Sequence, residues 1–373
     1  MPTFKSTLSS TYSANDIAWL SLASAQRVAT KHWLNVLSTL TLSPEQLTNS
    51  SQHHTSEVST LFQQVSTSLV EKAMQWLKSE SGRCLITIES PHYPSALKQL
   101  QNPPLVLFGL GDPTLLNSHQ IAIVGSRRAS HQGKQIAQSL ARDLSVDGIT
   151  VTSGLAMGID SAAHKGGLEG VGKTIAVVGT GPDKVYPAKN SLLLNEIVSD
   201  GGLCVSEFFP GQGPKQWHFP RRNRIIAALT LGTLVVEAKI RSGTLITANL
   251  AADLGKEVFA VPGSIFHAYS EGCHWLIQQG AKLVTNANDI FDEIAIRPQQ
   301  LLIEVGDEDE KSKVNSLATD KLLASVDYDI TAIDVIAQRN AKTVSEVMAS
   351  LLEYELRGLV AAVPGGYVKL RGK

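Results

Sequence analysis

The sequence predicts an α/β fold, a doubly wound parallel sheet flanked by two smaller modules. Three observations predict it. Between Gln120 and Ile296, short apolar strands alternate with amphipathic helices at regular spacing. Strand after strand runs into a turn bearing Gly or Ser, which a tight strand-to-helix connection needs. The segments on either side lose this alternation. With 373 residues the chain exceeds one typical core. The expected division is a helical domain 1–80, an α/β domain 81–296, a linker 297–320 and a small domain 321–373.

Taken in order, residues 1–80 are polar-rich with helical spacing. Asp16 is placed to cap a helix carrying Ile17, Trp19 and Leu20. Ser43-Pro44-Glu45-Gln46 is a helix start: Ser as cap, Pro in the first turn, Gln reaching back. Val58, Leu61, Phe62, Val65 and Leu69 share one face, and Met74, Trp76 and Leu77 predict a second helix. Arg83–Glu89 reads as a strand, and Leu105–Leu110 as another apolar run between Pro-bounded turns. The strands that follow are Ile121–Val124, Ile149–Thr152, Thr174–Val178, Leu203–Ser206, Thr233–Glu237, Glu257–Val261 and Lys282–Val284. Their helices run near Ile136–Leu144, Ser161–Leu168, Leu192–Val198, Asn223–Leu229, Arg241–Gly255, Trp275–Gln279 and Asp289–Ile296. Five acids within Glu304–Glu310 mark an acidic, flexible linker. Helices at Thr331–Gln338 and Thr343–Arg357 and a hairpin of Leu359–Val363 with Tyr367–Leu370 make a winged-helix pattern. Its second helix sets Glu346, Glu353 and Glu355 against Arg357 alone, so partner docking or regulation fits it better than duplex reading.

Bulk composition narrows the function. Balanced charge, 33 basic against 34 acidic residues, carries no global polyanion signal, so any such site must be a patch. Three scattered cysteines read as free thiols in a reducing compartment. The chain opens without a charged-then-apolar leader, and its apolar run Ile225–Val236 is shorter than the ~20 residues of a membrane span. A cytoplasmic location without membrane insertion is expected. No metal is expected: His53-His54 lies in a polar loop without suitably spaced partner ligands.

Ligands of doubly wound sheets bind beyond the carboxyl ends of the strands. Gly125-Ser126-Arg127, Ser153-Gly154, Gly179-Thr180-Gly181, Glu207, Glu237 and Ser242-Gly243 all follow strands and are expected to form one binding rim. The most distinctive stretch is Ser206–Gly243. Arg221, Arg222 and Arg224 crowd one turn after Lys215, Trp217 and Phe219, with no acid between Glu207 and Glu237. Guanidinium groups fork onto phosphates, and an exposed aromatic ring stacks bases. Positive charge at a helix start opposes the macrodipole, so an anion is expected there. Core packing for Phe219 and a solvated helix end for the arginines are the alternatives. Single-stranded nucleic acid fits better than a free nucleotide. Arg127 and Arg128 fill places that a pyrophosphate-binding turn keeps small, no P-loop run exists, and Pro182 removes a donor from the 179–183 turn.

The ordered runs IVGSRRAS, SGLAMGIDSAAH, GTGPDKVYPAKN, SEFFPG, FPRRNRIIAALT, VVEA, SGTLITA, EVFAVPG and GCHWLIQQGAKLV resemble the DNA-processing protein A family, also called Smf, from about Tyr93 to Ile296. The resemblance implies an extended Rossmann-like core without nucleotide-driven catalysis, hence no enzyme activity and no cofactor. It implies a SAM-like helical domain before that core and a winged-helix domain after it. It further implies a homodimer that binds and protects incoming single-stranded DNA during natural transformation and loads the recombinase RecA onto it. Motif by motif, the strand-gripping positions fall on Gly125, Ser126, Arg127, Phe219, Arg222, Asn223 and Arg224, with Lys215 ahead of the aromatic. Arg221, Ser242 and Gly243 join this set from the rim pattern. Trp275–Val284 resembles the segment of dimer and RecA contacts, with Trp275, Leu276, Ile277 and Leu283 as its apolar candidates. Phe209 and His274 depart from the residues many members carry there (Pro and Asn), and neither belongs to the Arg/Phe set.

Two other readings compete. Gly232–Glu237 loosely echoes a phosphoribohydrolase run, without its preceding Pro-Gly-Gly and one residue longer, which would make Glu237 a general acid or base. The plainer role for Glu237 is an ion-pair partner for nearby arginines. The last reading is a regulator acting through the winged helix.

Overall fold

The structure is a computed structural model that describes residues 12–49, 56–294, 321–327, 330–340, 342–363 and 365–370. His53-His54 and the acidic 297–320 segment lie outside these residues. The chain divides into two compact units, Met1–Leu301 and Leu302–Lys373.

The first unit opens with five helices, α1 (Ala14–Ser24), α2 (Thr30–Leu40), α3 (Pro44–Asn49), α4 (Ser56–Phe62) and α5 (Thr67–Ser79). Helix α1 is capped by Ser13, not by Asp16. Asp16 is the third residue of that helix and returns the bond to Ser13 N–H. The Ser43/Gln46 pair closes the expected reciprocal cap on α3. The apolar face around Val58–Leu69 is broken after Phe62, because Ser66 caps a fresh helix. These helices bury Trp19, Trp33 and Trp76 in the same core as Leu85, Ile86 and Phe108 of the sheet. The Trp76 and Phe108 rings meet edge-on at 6.1 Å.

The sheet has nine strands: β1 (Arg83–Thr87), β2 (Val106–Gly111), β3 (Gln120–Val124), β4 (Thr150–Ser153), β5 (Thr174–Val177), β6 (Leu203–Ser206), β7 (Gly232–Val235), β8 (Glu257–Ala260) and β9 (Lys282–Leu283). Their spatial order is β1-β2-β6-β5-β4-β3-β7-β8-β9. From β6 to β9 every pairing is parallel, whereas β1–β2 and β2–β6 are antiparallel. Helices α6 (Ser95–Lys98), α7 (His131–Val146), α8 (Ile159–Leu168), α9 (Ser191–Ser199), α10 (His218–Leu229), α11 (Gly243–Asp253), α12 (Glu271–Gln278) and α13 (Asn288–Ile294) supply the crossovers and flanks. Apolar cores on the sheet contain Ile123, Leu140 and Phe259 in one cluster and Ile175, Val205 and Ile225 in another. The strand order reverses at β3, between β4 and β7. A doubly wound sheet opens a ligand crevice at that reversal.

Helix α10 begins at His218, five residues before the sequence places it. Pro220 is its third residue, where a missing N–H costs no intrahelical bond. Phe219 and the three arginines therefore ride on the helix itself.

The second unit holds α14 (Lys321–Ala324), α15 (Ile333–Asn340), α16 (Val344–Leu356) and the hairpin β10 (Val360–Val363) with β11 (Gly366–Lys369). Thr331, expected to start a helix, instead bridges Tyr367 of the hairpin. A Thr343/Glu346 capping box opens α16. Val347, Leu351 and Tyr354 are its buried face. Val344, Met348, Leu352 and Leu356 form an exposed apolar stripe, while Glu353 pairs with Arg357. A duplex-reading helix would offer basic and amide groups on that face.

Candidate nucleic-acid interface

At the strand reversal lies a cleft of about 790 Å³. Its floor is the turn after β3. Ser126 N–H donates to Glu237 O at 2.7 Å, and Ile159 N–H donates to Ser126 O. Gly125 is required, since a Cβ there would sit 2.5 Å from the Ile159 side chain. Arg127 rises exposed from this turn, its guanidinium carbon 5.4 Å from the Phe219 ring centre. Tyr186 lies 5.6 Å from the same ring. Phe219 is half-buried, packed near Gly179 and still facing the cleft. Asn223, Ser242 and Gly243 also line it.

The arginines of α10 occupy three different surroundings. Arg222 is buried, not exposed. Its Nη1 donates to Gly154 O at 2.7 Å and to Val177 O, joining the ends of β4 and β5. Asp160 is buried beside it and accepts from Gly154 N–H at 3.1 Å. Burial pushes the Asp160 carboxyl up, opposed by Arg222 and the backbone donors. Arg221 and Arg224 both pair with the buried carboxylate of Glu207. The anion expected at this helix start is thus an internal one. Glu207 lies 14 and 17 residues before its two partners and is reached across the loop after β6. Lys215 is exposed and lies over Trp217, outside the cleft lining.

Glu237 also differs from expectation. Its Oε2 accepts from Ser130 N–H at 2.9 Å and its Oε1 from Ser130 Oγ. Ser130 caps α7, so Glu237 anchors a helix start and makes no ion pair with an arginine among the described residues. Both its oxygens are engaged, which disfavours a general-base role. Ser242 Oγ, in contrast, is buried without a hydrogen-bond partner. Phe209 lies in the core against Phe108, 5.1 Å away. Of the apolar set after β8, Trp275 and Leu283 are exposed and Ile277 is half-buried. Leu276 is buried in the sheet core and offers no surface.

Among the cleft residues outside the expected set are Arg128, Tyr186, Lys239 and Tyr269. Each lies in a segment that follows a strand on the carboxyl-end rim. That position was the available signal; their own spacing and chemistry gave none.

Beneath the cleft, His164 locks the 154–158 turn. Leu155 N–H donates to His164 Nε2 at 3.2 Å, which places the ring proton on Nδ1, facing Thr174 Oγ1 at 2.8 Å. Thr174 Oγ1 in turn donates to Val151 O. Burial, reinforced by Arg222, pulls the His164 pKa from 6.5 to about 3. The unfolded chain takes up this proton near pH 6.5 and the folded chain only near 3. The stabilisation is therefore complete above 6.5 and is lost as pH falls toward 3, at about 1.4 kcal/mol per unit. Between pH 7 and 5, the wild type should lose about 2 kcal/mol more than His164→Asn in paired urea titrations. Equal losses would mean that folding leaves the His164 proton affinity unchanged.

The comparisons with known proteins agree with this fold. Residues 84–295 match DNA recombination-mediator protein A, and residues 309–366 match the DprA winged helix domain. Protein Smf of Escherichia coli is 41% identical over 309 residues, covering 81% of each chain. DNA processing protein DprA of Streptococcus pneumoniae is 48% identical over 201 residues, 54% of this chain and 71% of that one. The X-ray structure of the Streptococcus pneumoniae protein superposes with a TM-score of 0.64 at 34% identity, over 77% of this chain and 99% of that one. DNA processing protein A of Helicobacter pylori, solved for its single-stranded DNA binding mode, superposes with a TM-score of 0.52 at 30% identity, over 57% and 95%. With the two matched domains and the superposed fold in agreement, the chain belongs to the DNA recombination-mediator protein A family.

Proposed function

We propose that the chain binds single-stranded DNA in the switch-point cleft and, as a homodimer, presents the strand to the recombinase RecA during natural transformation. One observation carries the binding step. Arg127, exposed on a Gly-Ser turn, lies over the cleft-facing Phe219 ring. That pair offers a phosphate partner beside a base platform. Gly125, Ser126, Ser242 and Gly243 bring backbone close to the strand, and Asn223 and Lys215 extend its reach. Arg222 braces the cleft wall, and Arg221 and Arg224, paired with Glu207, lie outside the cleft lining. The exposed Trp275 and Leu283 suit the dimer or RecA contact. The hydrolase alternative loses support because the Glu237 carboxylate is held by Ser130. The apolar, acid-flanked α16 suits a protein partner better than a duplex.

Fluorescence anisotropy with single- and double-stranded oligonucleotides tests the binding step. The single strand should bind more tightly, and affinity should fall steeply with salt. Arg127→Ala should flatten the log–log salt slope by about 0.7, one phosphate's worth. Phe219→Ala should cost about 1–3 kcal/mol of affinity. Equal affinity for both DNA forms would remove the basis of this reading.

A further inference from the structure

The cleft has a second cation–aromatic pair that the functional reading leaves unused. Lys239, exposed on the turn after β7, lies with Nζ 5.0 Å from the Tyr269 ring centre. Both residues line the cleft that Arg127 and Phe219 also line. Tyr269 sits in the loop after β8, Val261–Ser270, whose His267 ring lies 5.6 Å from it. Three residues before Tyr269, Phe266 is 93% exposed, and Ile265 beside it is 79% exposed. Large apolar side chains held in water mark an interaction surface.

The loop is built rather than slack. Ala238 N–H donates to Tyr269 O at 2.7 Å, tying it to the exit of β7. His274 Nε2 donates to Gly263 O at 2.9 Å and closes its base. His267 N–H donates to Ser264 O, making the turn that carries Phe266 at its crest. Gly263 packs so closely on Ser270 that a Cβ would meet Oγ at 2.2 Å. The presentation of Phe266 is thus set by the backbone. The charge of the surroundings favours a polyanion. Arg127, Arg128 and Lys239 line the cleft, and its one carboxylate, Asp160, is buried beside Arg222.

We propose that this wall is a second station for the same DNA strand. Lys239 takes a phosphate, and Tyr269 and Phe266 stack bases of nucleotides beyond those held at Arg127 and Phe219. The proposal rests on the reading of the cleft as a single-strand site. It adds a direction to it, from the β3 turn across to the loop after β8. Thymidine oligonucleotides of two lengths, about 4 and about 12 residues, separate the two ideas in anisotropy titrations with the full chain. A strand of the shorter length is filled by the first station. It should bind wild type and Phe266→Ala alike, while Arg127→Ala weakens it. The longer strand should bind Phe266→Ala about 5- to 150-fold more weakly than wild type. Lys239→Ala should flatten its salt slope by about 0.7. All three side chains are exposed, so matching melting temperatures will show that folding is intact. If the wild type binds neither length, the functional reading itself fails. If it binds both and the Lys239 and Phe266 variants match it at both lengths, the second station is overturned and the first stands. A Phe266→Ala protein of smaller oligomeric mass with unchanged affinity for the longer strand would also overturn it, by assigning the loop to a protein contact.

Discussion

Arg222→Ala is expected to destabilise the fold by about 3–5 kcal/mol, measured as a lower urea midpoint with an unchanged slope. Arg127→Ala should stay within about 0.5 kcal/mol of wild type. The two arginines look alike in sequence and differ in burial. Arg222 is 5% exposed and its guanidinium satisfies the carbonyls of Gly154 and Val177. Gly154 leaves room for it: a Cβ there would fall 2.4 Å from Nη1. Truncating the side chain leaves two carbonyls without this donor and removes the positive charge facing the buried Asp160 carboxyl, which keeps its backbone donors Gly154 and Ala156. That is the costly case, one charge of a buried pair removed. Arg222→Lys should recover only part of the loss, since a point charge cannot replace the planar fork. The defect should precede any effect on DNA: a variant refolded by added osmolyte should keep the wild-type salt slope. A fully stable Arg222→Ala protein with lost DNA affinity would return Arg222 to the strand-contact set.

The parallel sheet was legible because its strands are short, almost wholly apolar and punctuated by Gly and Ser turns, which only a sheet covered on both faces requires. Strand direction at the β1–β2 edge was not, because apolar patterning reports burial and says nothing of polarity along the chain. The rim rule placed Arg127 and Phe219 together, and the structure brings them within 5.4 Å. The same rule did not foresee the burial and internal pairing of the α10 arginines. Their charge was read without their helical phase. Arg222, Ile225, Ile226 and Leu229 share one face at helical spacing, and all four are buried. That phase was visible in the sequence once Pro220 was allowed inside the first turn. Glu207 was legible as a rim residue but not as a partner, because its pairing depends on how the loop after β6 folds back. Tyr269 and Lys239 meet through tertiary contact between two loops, which no local pattern carries.

Glu207→Ala is expected to cost about 3 kcal/mol, the lower end of the range for a broken buried pair. The Glu207 side chain is 5% exposed, and it accepts from Arg221 Nε at 3.0 Å, from Arg221 Nη2 at 2.8 Å and from Arg224 Nη2. The two arginines respond differently to its loss. Arg221 is 40% exposed and can turn into water. Arg224 is 18% exposed, and its Nη1 is already buried without a partner, so its charge would be stranded. The paired variant Glu207→Leu/Arg224→Leu should therefore recover most of the stability, giving a coupling of about 1–3 kcal/mol in a double-mutant cycle. Because Glu207 and Arg224 are mostly shielded from solvent, the coupling should survive high salt, which erases exposed pairs. The same variant tests the DNA assignment. If Arg221 and Arg224 serve only to pair with Glu207, Glu207→Ala leaves the single-strand salt slope unchanged. If Glu207 instead masks two phosphate contacts, the slope steepens by about 1.4, two phosphates at 0.7 each. A steeper slope would place both arginines back in the grip, with Glu207 as the group that holds them off until DNA arrives.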